Sequence, residues 1–287
     1  MATMVDTKLA VVRLDHGVFP SDDLGRSLAF FTDVLGAQFK RLVNVNLRGL
    51  NREVPEIAFF TLANHNGCGV ALQEQAIVPA TRPLEGPVWG FEIDERRMQS
   101  VGKALLESGA AFEGPVDYAR PSPIACSVFV RDPNDFTYEL SIRHGPKLGT
   151  EPGQGPLGLR RISHVRLEVT DLNAGRRWYT QTLGLEEADP VPGDRQLTLT
   201  IGETGQLFIL HEVPEMTQRS HYCRGPHVDV KVPGGAFEAF AARLENVERY
   251  WGPYGAHIPW HEPDPKTLYF YDPFGNRLQV SENRPHP

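Results

Sequence analysis

The sequence predicts an α+β fold in which strands outnumber helices and one module occurs four times. Residues 14–39 align without a gap with residues 162–187, so that His16 falls opposite His164 and the chain is a duplication. Each copy divides again into two parts that run from a strand through a helix to further strands. Helical periodicity is confined to one segment in each part, whereas alternating apolar residues are frequent, as expected for a sheet-rich protein.

Two further pairs of segments extend the repeat. GPVWGFEID (86–94) matches GPHVDVKVP (225–233), and RDPNDFTYEL (131–140) matches YDPFGNRLQV (271–280). We therefore expect four βαβββ modules, arranged as two tandem domains whose strands curl into cups.

The duplication also predicts the domain boundaries. We expect an N-terminal domain over residues 8–143 and a C-terminal domain over residues 161–283. Residues 144–160 are rich in glycine and proline and are predicted to form a linker.

Each helix follows the first strand of its module. Ser21 and Asp22 are candidate caps of the first helix, whose apolar residues recur on one side, and Gly36 is placed to end it. The predicted helices are 21–35, 95–108, 171–182 and 235–250. The predicted strands are 11–18, 70–74, 88–93, 136–142, 162–169, 206–212, 227–232 and 276–281.

Composition excludes several classes of protein. The chain has 29 basic and 36 acidic residues, a net charge of −7, which argues against a nucleic-acid partner because phosphate binding needs a basic surface. The three cysteines are scattered, which argues against a disulfide framework and fits a reducing cytoplasm. No apolar run approaches the ~20 residues of a membrane span, and no signal peptide is recognised. We expect a cytoplasmic protein that contacts no membrane.

Alternation along the strands places polar side chains away from the helices. In strands 162–169, 227–232 and 276–281 the apolar residues share one face, while His164, His227 and Gln279 lie on the other. If the strands curl into a cup, these three side chains converge. Two imidazoles and one oxygen ligand are a suitable set for a facial metal site.

The repeated module, its first-strand histidine and its closing DPxGN turn resemble the vicinal oxygen chelate superfamily. This superfamily includes glyoxalase I, bleomycin resistance proteins, methylmalonyl-CoA epimerase and type I extradiol dioxygenases. The C-terminal copy is similar to the extradiol enzymes in particular. Its segment from His261 through Leu268-Tyr269 and Asp272-Pro273 to Gln279 follows their signature, except that the final residue is Gln in place of Glu. The segment ending at His211 resembles their Phe-Leu-His.

The resemblance implies a role for each matched residue. His164 and His227 are metal ligands, with Gln279 in the place of the carboxylate. His211 is the acid–base histidine. His261 and Tyr269 form hydrogen bonds with the substrate oxygens.

The resemblance also implies a cofactor and partners. The expected cofactor is Fe(II), with Mn(II) as the alternative, and the expected substrates are a catechol-like aromatic and dioxygen. Enzymes of this type are often homo-oligomers. A histidine that titrates near neutral pH is suited to accept and return the catechol proton.

The N-terminal copy keeps only part of the same set. His16 and Glu139 occupy the first-strand and last-strand positions, but Val88 stands where the other copy has His227, and Gln73 stands where it has His211. We therefore expect no complete metal site in this copy. His16 and Glu139 are retained as a weaker second site, or as residues that pair with each other or with water.

The substitution at Gln279 leaves three hypotheses open. The first is an extradiol-type dioxygenase with a mononuclear divalent metal. The second is a metal-poor protein that binds an aromatic compound, as resistance proteins of the superfamily do. The third is a non-redox isomerase or epimerase that uses a divalent metal. A neutral amide ligand favours the second, while the retained His211, His261 and Tyr269 favour the first.

Overall fold

The computed structural model describes eight stretches of the chain. They are residues 10–44, 56–62, 70–74, 87–145, 153–202, 204–216, 227–244 and 267–282.

The strands are short and numerous, as the duplication predicts. In the first copy they are β1 (Arg13–Ser21), β2 (Gln38–Asn44), β3 (Glu56–Thr61), β4 (Val70–Glu74), β5 (Val88–Ile93), β6 (Phe112–Asp117), β7 (Ile124–Arg131) and β8 (Thr137–Arg143). In the second copy they are β9 (Leu159–Val169), β10 (Glu186–Glu187), β11 (Gln196–Ile201), β12 (Gln206–Glu212), β13 (His227–Val232), β14 (Thr267–Tyr271) and β15 (Arg277–Glu282).

One helix follows the first strand of each module. The helices are α1 (Leu24–Ala29), which continues as a π-helical turn over Phe30–Leu35, α2 (Glu95–Ser108), α3 (Leu172–Thr182) and α4 (Phe237–Arg243). The cap of α1 is Asp23, whose carboxylate accepts the amide of Arg26, so the predicted caps Ser21 and Asp22 are wrong. Gly36 ends the π turn with a φ of 81°, as predicted.

The strands form two open sheets. The first has the order β14-β15-β13-β1-β4-β3-β2, and the second has the order β10-β11-β12-β9-β5-β8-β7-β6. The fold is therefore the expected α+β arrangement of repeated modules, in which few helices accompany two large sheets. None of the helices in the described ranges is long and apolar enough to cross a membrane.

Each sheet takes strands from both copies of the repeat. In the first sheet β1 pairs antiparallel with β13, and in the second β5 pairs antiparallel with β9. The first module therefore joins the fourth, and the second joins the third. The predicted boundaries 8–143 and 161–283 mark the sequence repeat, but both sheets cross them, and the linker 144–160 runs into the start of β9.

The pairing has a simple physical cause. In each module the first strand pairs with the last strand of the same module on one side, as β1 does with β4 and β9 with β12. Its other edge would leave backbone N–H and C=O groups unpaired, so it must find another first strand. Sequence patterning shows that such an edge exists but not which partner covers it.

An aromatic cluster fills the space between the sheets. Tyr138 of the second sheet lies 5.0 Å from Phe19 of the first and 5.4 Å from Phe31, measured between ring centroids. A Cβ at Gly17 would lie 2.5 Å from the ring of Trp89, so the glycine lets this indole pack directly against β1. These contacts hold the two sheets together.

Two Asp-Pro turns hold the last strands in place. Asp132 accepts the backbone amides of Asn134 and Phe136 before β8, and Asp272 accepts those of Phe274 and Asn276 before β15. Each carboxylate also accepts a hydrogen bond from a buried tyrosine: Tyr138 at 3.2 Å and Tyr179 at 2.7 Å, respectively. The repeated DP motif is therefore a structural device, as a turn-forming carboxylate predicts.

The buried turn carboxylate Asp132 predicts a loss of stability as the pH rises. Burial raises the pKa of Asp132 to about 6, from 3.8 in the unfolded chain. Between these values the folded state binds more protons than the unfolded state, so the free energy of unfolding should fall by up to about 3 kcal/mol from pH 4 to pH 6. Urea unfolding across this range should show a shallower fall in Asp132→Asn, whereas Asp135→Asn, at an exposed position of the same turn, should follow the parent protein.

Candidate metal centre

Three polar side chains meet where β13 lies between β1 and β15. His16 on β1 is opposite Asp229 on β13, and Val18 is opposite His227. On the other side of β13, Asp229 is opposite Gln279 of β15. Alternation sends Val228, Val230 and Val232 into the apolar core, so His16, His227 and Gln279 lie on the opposite, polar face. We call these three residues the first centre.

Two side chains of the first centre are in direct contact. His227 Nε2–H donates a hydrogen bond to Gln279 Oε1 at 2.9 Å, a spacing that two ligands of one cation could also have. Two ligands at right angles around a metal, each at roughly 2.1 Å, are about 3.0 Å from each other. The ring of His16 lies 6.1 Å from that of His227 between centroids, at an angle of 72°. Two imidazoles and an amide oxygen are donors that divalent transition metals accept.

The ring of His16 is oriented by two carboxylates. Its Nδ1 lies 3.0 Å from Asp15 Oδ2 and 3.4 Å from Asp229 Oδ2. The tautomer with its proton on Nδ1 satisfies both acceptors, and in that tautomer the Nε2 lone pair can bind a metal. Metal-binding histidines commonly donate their other ring N–H to a carboxylate in this way.

Asp15, His16 and Asp229 could themselves hold an ion, because one ligand atom of each lies within 4.8 Å of the others. In the structure, the ammonium group of Lys231 already occupies the position of a cation beside these carboxylates. Its Nζ is 3.3 Å from Asp15 and 3.1 Å from Asp229, and it donates to Ser281 Oγ at 2.6 Å. Although burial opposes it, the two carboxylates raise the pKa of Lys231. Arg13 Nη2 also lies 2.9 Å from Asp15 Oδ1, so Lys231 and Arg13 together balance the charge of the two carboxylates that orient His16.

Tyr269 borders the first centre. It is opposite Gln279 in the pairing of β14 with β15, and its ring meets the His227 ring edge-to-face at 5.3 Å. The guanidinium of Arg277 lies 4.9 Å from the centroid of the tyrosine ring. The position is suited to a phenol that contacts a ligand bound at the three metal-binding side chains.

A second polar cluster occupies the matching place in the other sheet. The carboxylate of Glu139 accepts Arg166 Nε at 2.6 Å and Nη2 at 3.2 Å, and it accepts the Ser127 hydroxyl at 2.6 Å. His164 Nε2 lies 3.0 Å from the same carboxylate. We call Glu139, His164 and Arg166 the second centre.

The second centre contains a buried ion pair between Glu139 and Arg166. Burial disfavours an ionised Glu139, but His164 and Arg166 hold its pKa well below the usual range. Burial lowers the pKa of His164, which favours its neutral form, whereas Arg166 is a permanent positive charge beside Glu139. Glu139 and His164 are both fully inaccessible to solvent.

The structure does not bring His164 to the ligands it was expected to join. His164 lies on β9 in the second sheet, with Glu139, whereas His227 and Gln279 lie in the first sheet with His16. The expected convergence of His164, His227 and Gln279 is therefore wrong. Its cause is the pairing of β1 with β13, which puts a histidine of the first copy where one of the second was expected.

Two further sequence assignments fall elsewhere. His211 is exposed on β12 of the second sheet, opposite Gln196, and so lies in a different sheet from His227. His16 and Glu139 also lie in different sheets, so they form no site together. His261 lies outside the described residues.

Sequence reasoning missed Arg166 as a member of a buried centre. The signal was present, because Arg166 shares the polar face of strand 162–169 with His164. It also missed Asp15 and Asp229, which no metal-ligand spacing marks. Their importance follows only from the bulge between Leu14 and His16, which brings Asp15 to the side of the histidine.

Comparison with known proteins agrees with this architecture. The family model of the Glyoxalase/Bleomycin resistance protein/Dioxygenase superfamily matches residues 161–280. This part of the chain, less than half of its length, is thus similar to a domain of that superfamily. A 76-residue stretch is 40% identical to mitochondrial methylmalonyl-CoA epimerase of Bos taurus, covering 25% of this chain and 43% of the epimerase. The matched stretch thus spans less than half the length of that relative.

Solved structures extend the likeness in fold to both copies. One is a protein of Bacillus subtilis to which dioxygenase activity is provisionally assigned, with a TM-score of 0.71 and 12% identity, covering 96% of this chain and 86% of that one. Another is a point mutant of glyoxalase I from Zea mays, with a TM-score of 0.67 and 18% identity, covering 94% of this chain and 93% of that one. At such identities the likeness shows the glyoxalase-like fold alone. The superfamily includes metal-dependent enzymes, and the first centre is a candidate metal site of that kind.

The second centre predicts a large stability cost when its carboxylate is neutralised. Glu139→Gln leaves the Arg166 guanidinium without its counter-charge in a buried site, and removing one partner of a buried ion pair costs about 3–5 kcal/mol. The measurement is urea unfolding followed by circular dichroism. Glu113→Gln is the matched control, because it breaks a solvent-exposed pair with Arg131, worth at most about 1 kcal/mol. Equal losses in the two variants would contradict a stabilising role for the second centre.

Proposed function

We propose that this protein is an enzyme that holds one divalent metal at His16, His227 and Gln279 and cleaves a catechol-like aromatic with dioxygen in the extradiol manner. Fe(II) is the proposed metal, and Mn(II) is the alternative. The observation that carries the proposal is the meeting of two imidazoles and one amide oxygen on one face of the first sheet. The extradiol-like sequence from His261 to Gln279 supports the choice of reaction.

The proposed ligand set suits a substrate that binds through two adjacent oxygens. The three side chains lie on one face of neighbouring strands, so they would hold a cation from one side and leave room for substrate on the other. A divalent cation held there would supply Lewis acidity to the two oxygens of a catechol and, as Fe(II), a path for the electrons that the catechol gives to dioxygen. The protein's own task is to orient the ring and to manage its protons.

Two features of the chain act on a bound catechol. Tyr269 borders His227 and can donate its phenolic hydrogen to a substrate oxygen, which orients the ring and stabilises negative charge on that oxygen. Gln279 is neutral where the related signature has a carboxylate, so the centre carries one more positive charge. That charge favours the deprotonated form of a hydroxyl bound in the centre.

Proton transfer is assigned differently from the sequence-based expectation. His211 lies in the other sheet and is not proposed as the acid–base group. His261 keeps the role that the extradiol resemblance implies, in which it contacts a substrate oxygen.

A second candidate function is favoured by one observation, the 40% identity to an epimerase over 76 residues. A non-redox enzyme would use the same ligands to stabilise a carbanion next to a carbonyl group, without consuming dioxygen. The neutral Gln279 is compatible with this chemistry, because no electron leaves the metal.

The ligand set is tested by metal content. His227→Ala and His16→Ala should each lower the affinity for Fe(II) or Mn(II) by about 100-fold or more, because each removes one of three protein ligands. Elemental analysis of anaerobically prepared protein and Mn(II) titration followed by electron paramagnetic resonance measure this. His211→Ala, which removes an exposed imidazole, is the control and should keep its metal. If both ligand variants bound metal as tightly as the parent protein, His16 and His227 would not be metal ligands.

The reaction is tested by two assays of the Fe(II)-loaded protein. Oxygen uptake on addition of catechols, with the yellow absorbance of a ring-cleaved product, is the expected result. Gln279→Glu should bind Fe(II) more tightly, since an anionic ligand compensates the metal charge. Incorporation of deuterium from D2O into an acyl thioester, with no uptake of oxygen, would instead establish the second candidate function.

A further inference from the structure

The two centres occupy equivalent positions in the two sheets. In the first sheet β1 meets β13 with His16 opposite Asp229 and Val18 opposite His227. In the second sheet β9 meets β5 in the same antiparallel way, with His164 opposite Gly90.

The equivalence extends to the neighbouring residues. Arg166 is opposite Val88, as Val18 is opposite His227 in the first sheet. The last strands agree as well, because Glu139 is opposite Gly90 just as Gln279 is opposite Asp229. The two centres can therefore be compared residue by residue.

One exchange adds a positive charge to the second centre. Where the first centre has the apolar Val18, the second has Arg166, whose guanidinium makes two contacts with Glu139, at 2.6 and 3.2 Å. A third contact, from Nη1 to Gln196 Oε1 at 3.3 Å, helps to fix the plane of the guanidinium. The carboxylate and the imidazole of the second centre thus already share a permanent cation.

The remaining exchanges remove what a metal would need. Val88 supplies no ligand where the first centre has His227. Gly90 replaces Asp229, and a Cβ at Gly90 would overlap the ring of His164, so no carboxylate can stand there to orient that histidine. His164 Nδ1 instead pairs with the Ser163 hydroxyl at 2.8 Å.

We propose that the guanidinium of Arg166 is a built-in cation that takes the place of a divalent metal in the second centre, so that this centre excludes metal and joins the second and third modules. The proposal rests on charge balance around Glu139. A buried carboxylate needs a positive partner, and a guanidinium that forms two hydrogen bonds to it meets that need permanently. A metal would have to displace a side chain that is tethered to the same strand as His164. This inference does not depend on whether the first centre carries metal.

The test converts the second centre toward the first. All variants are made in the full chain with His227→Ala, which removes a ligand of the first centre. Arg166→Val introduces the residue that the repeat has at this position. Val88→His with Arg166→Val completes a set of two histidines and a carboxylate. The controls are Val88→His alone, which adds a ligand but keeps the guanidinium, and Arg166→Lys, which keeps a cation.

The probe is Co(II) alone, followed by its visible absorption and by the melting temperature. The doubly substituted centre should bind one Co(II) per chain with micromolar affinity, and Co(II) at 100 times the dissociation constant should raise its melting temperature by roughly 5 °C. Arg166→Val should bind more weakly. Neither control should bind, and Glu139→Gln in the doubly substituted protein should weaken binding at least 100-fold.

Two results would overturn the proposal. One is Co(II) binding by Val88→His with Arg166 in place, because a missing ligand and not the guanidinium would then explain the exclusion. The other is a doubly substituted protein that keeps its circular dichroism spectrum but binds no Co(II), because removing the guanidinium would then uncover no site. If the double variant does not fold without metal, recovery of its spectrum on refolding with Co(II) supports the proposal, and failure to recover counts against it.

Discussion

The antiparallel contact between first strands of different modules is the constraint on which the rest of the structure depends. β1 pairs with β13 and β5 with β9, and every polar residue of the two centres lies on one of these four strands or on the last strand beside them. The contact satisfies backbone groups that each module alone would leave unpaired. It also decides which histidine meets which partner, because a strand carries its side chains to the sheet that it joins.

The two centres are two solutions to the same electrostatic requirement. Each buries polar groups between strands that are otherwise apolar, and each must balance its charge without help from solvent. In the first centre the acidic pair Asp15 and Asp229 is balanced by the two cations Lys231 and Arg13, and no cation stands between His227 and Gln279 in the described residues. In the second centre the acid is Glu139 itself, and its counter-charge fills the space between the strands. After a duplication, one centre can thus bind a ligand while the equivalent centre stabilises the fold through a buried ion pair.

Much of the fold could be predicted from the sequence, and the reason is local. Three predicted strands and one predicted helix have the bounds seen in the structure: 88–93, 206–212 and 227–232 for the strands and 95–108 for the helix. They could be predicted because alternation, helical periodicity and flanking turn residues are properties of neighbouring residues. The faces were also predictable, since His227 and Gln279 do lie opposite the apolar valines. The meeting of His16 with His227 was not predictable, because it depends on whether β13 pairs with the edge of β1 or with the equivalent edge of β9. No short-range pattern distinguishes these edges. Asp23 displaced the predicted caps for a similar reason, since three polar residues in a row offered three possible helix starts.

The contact between β1 and β13 has a consequence for the order of events during synthesis. The two strands are about two hundred residues apart in the chain, so the edge of β1 must wait until nearly the whole polypeptide has left the ribosome. The second and third modules are adjacent in the chain and can close their sheet earlier. The nascent protein therefore passes through a stage in which one sheet is complete and the other is half built. Until the fourth module emerges, the edge of β1 that will meet β13 lacks its native partner, so this is the stage at which pairing with another strand competes most with correct folding.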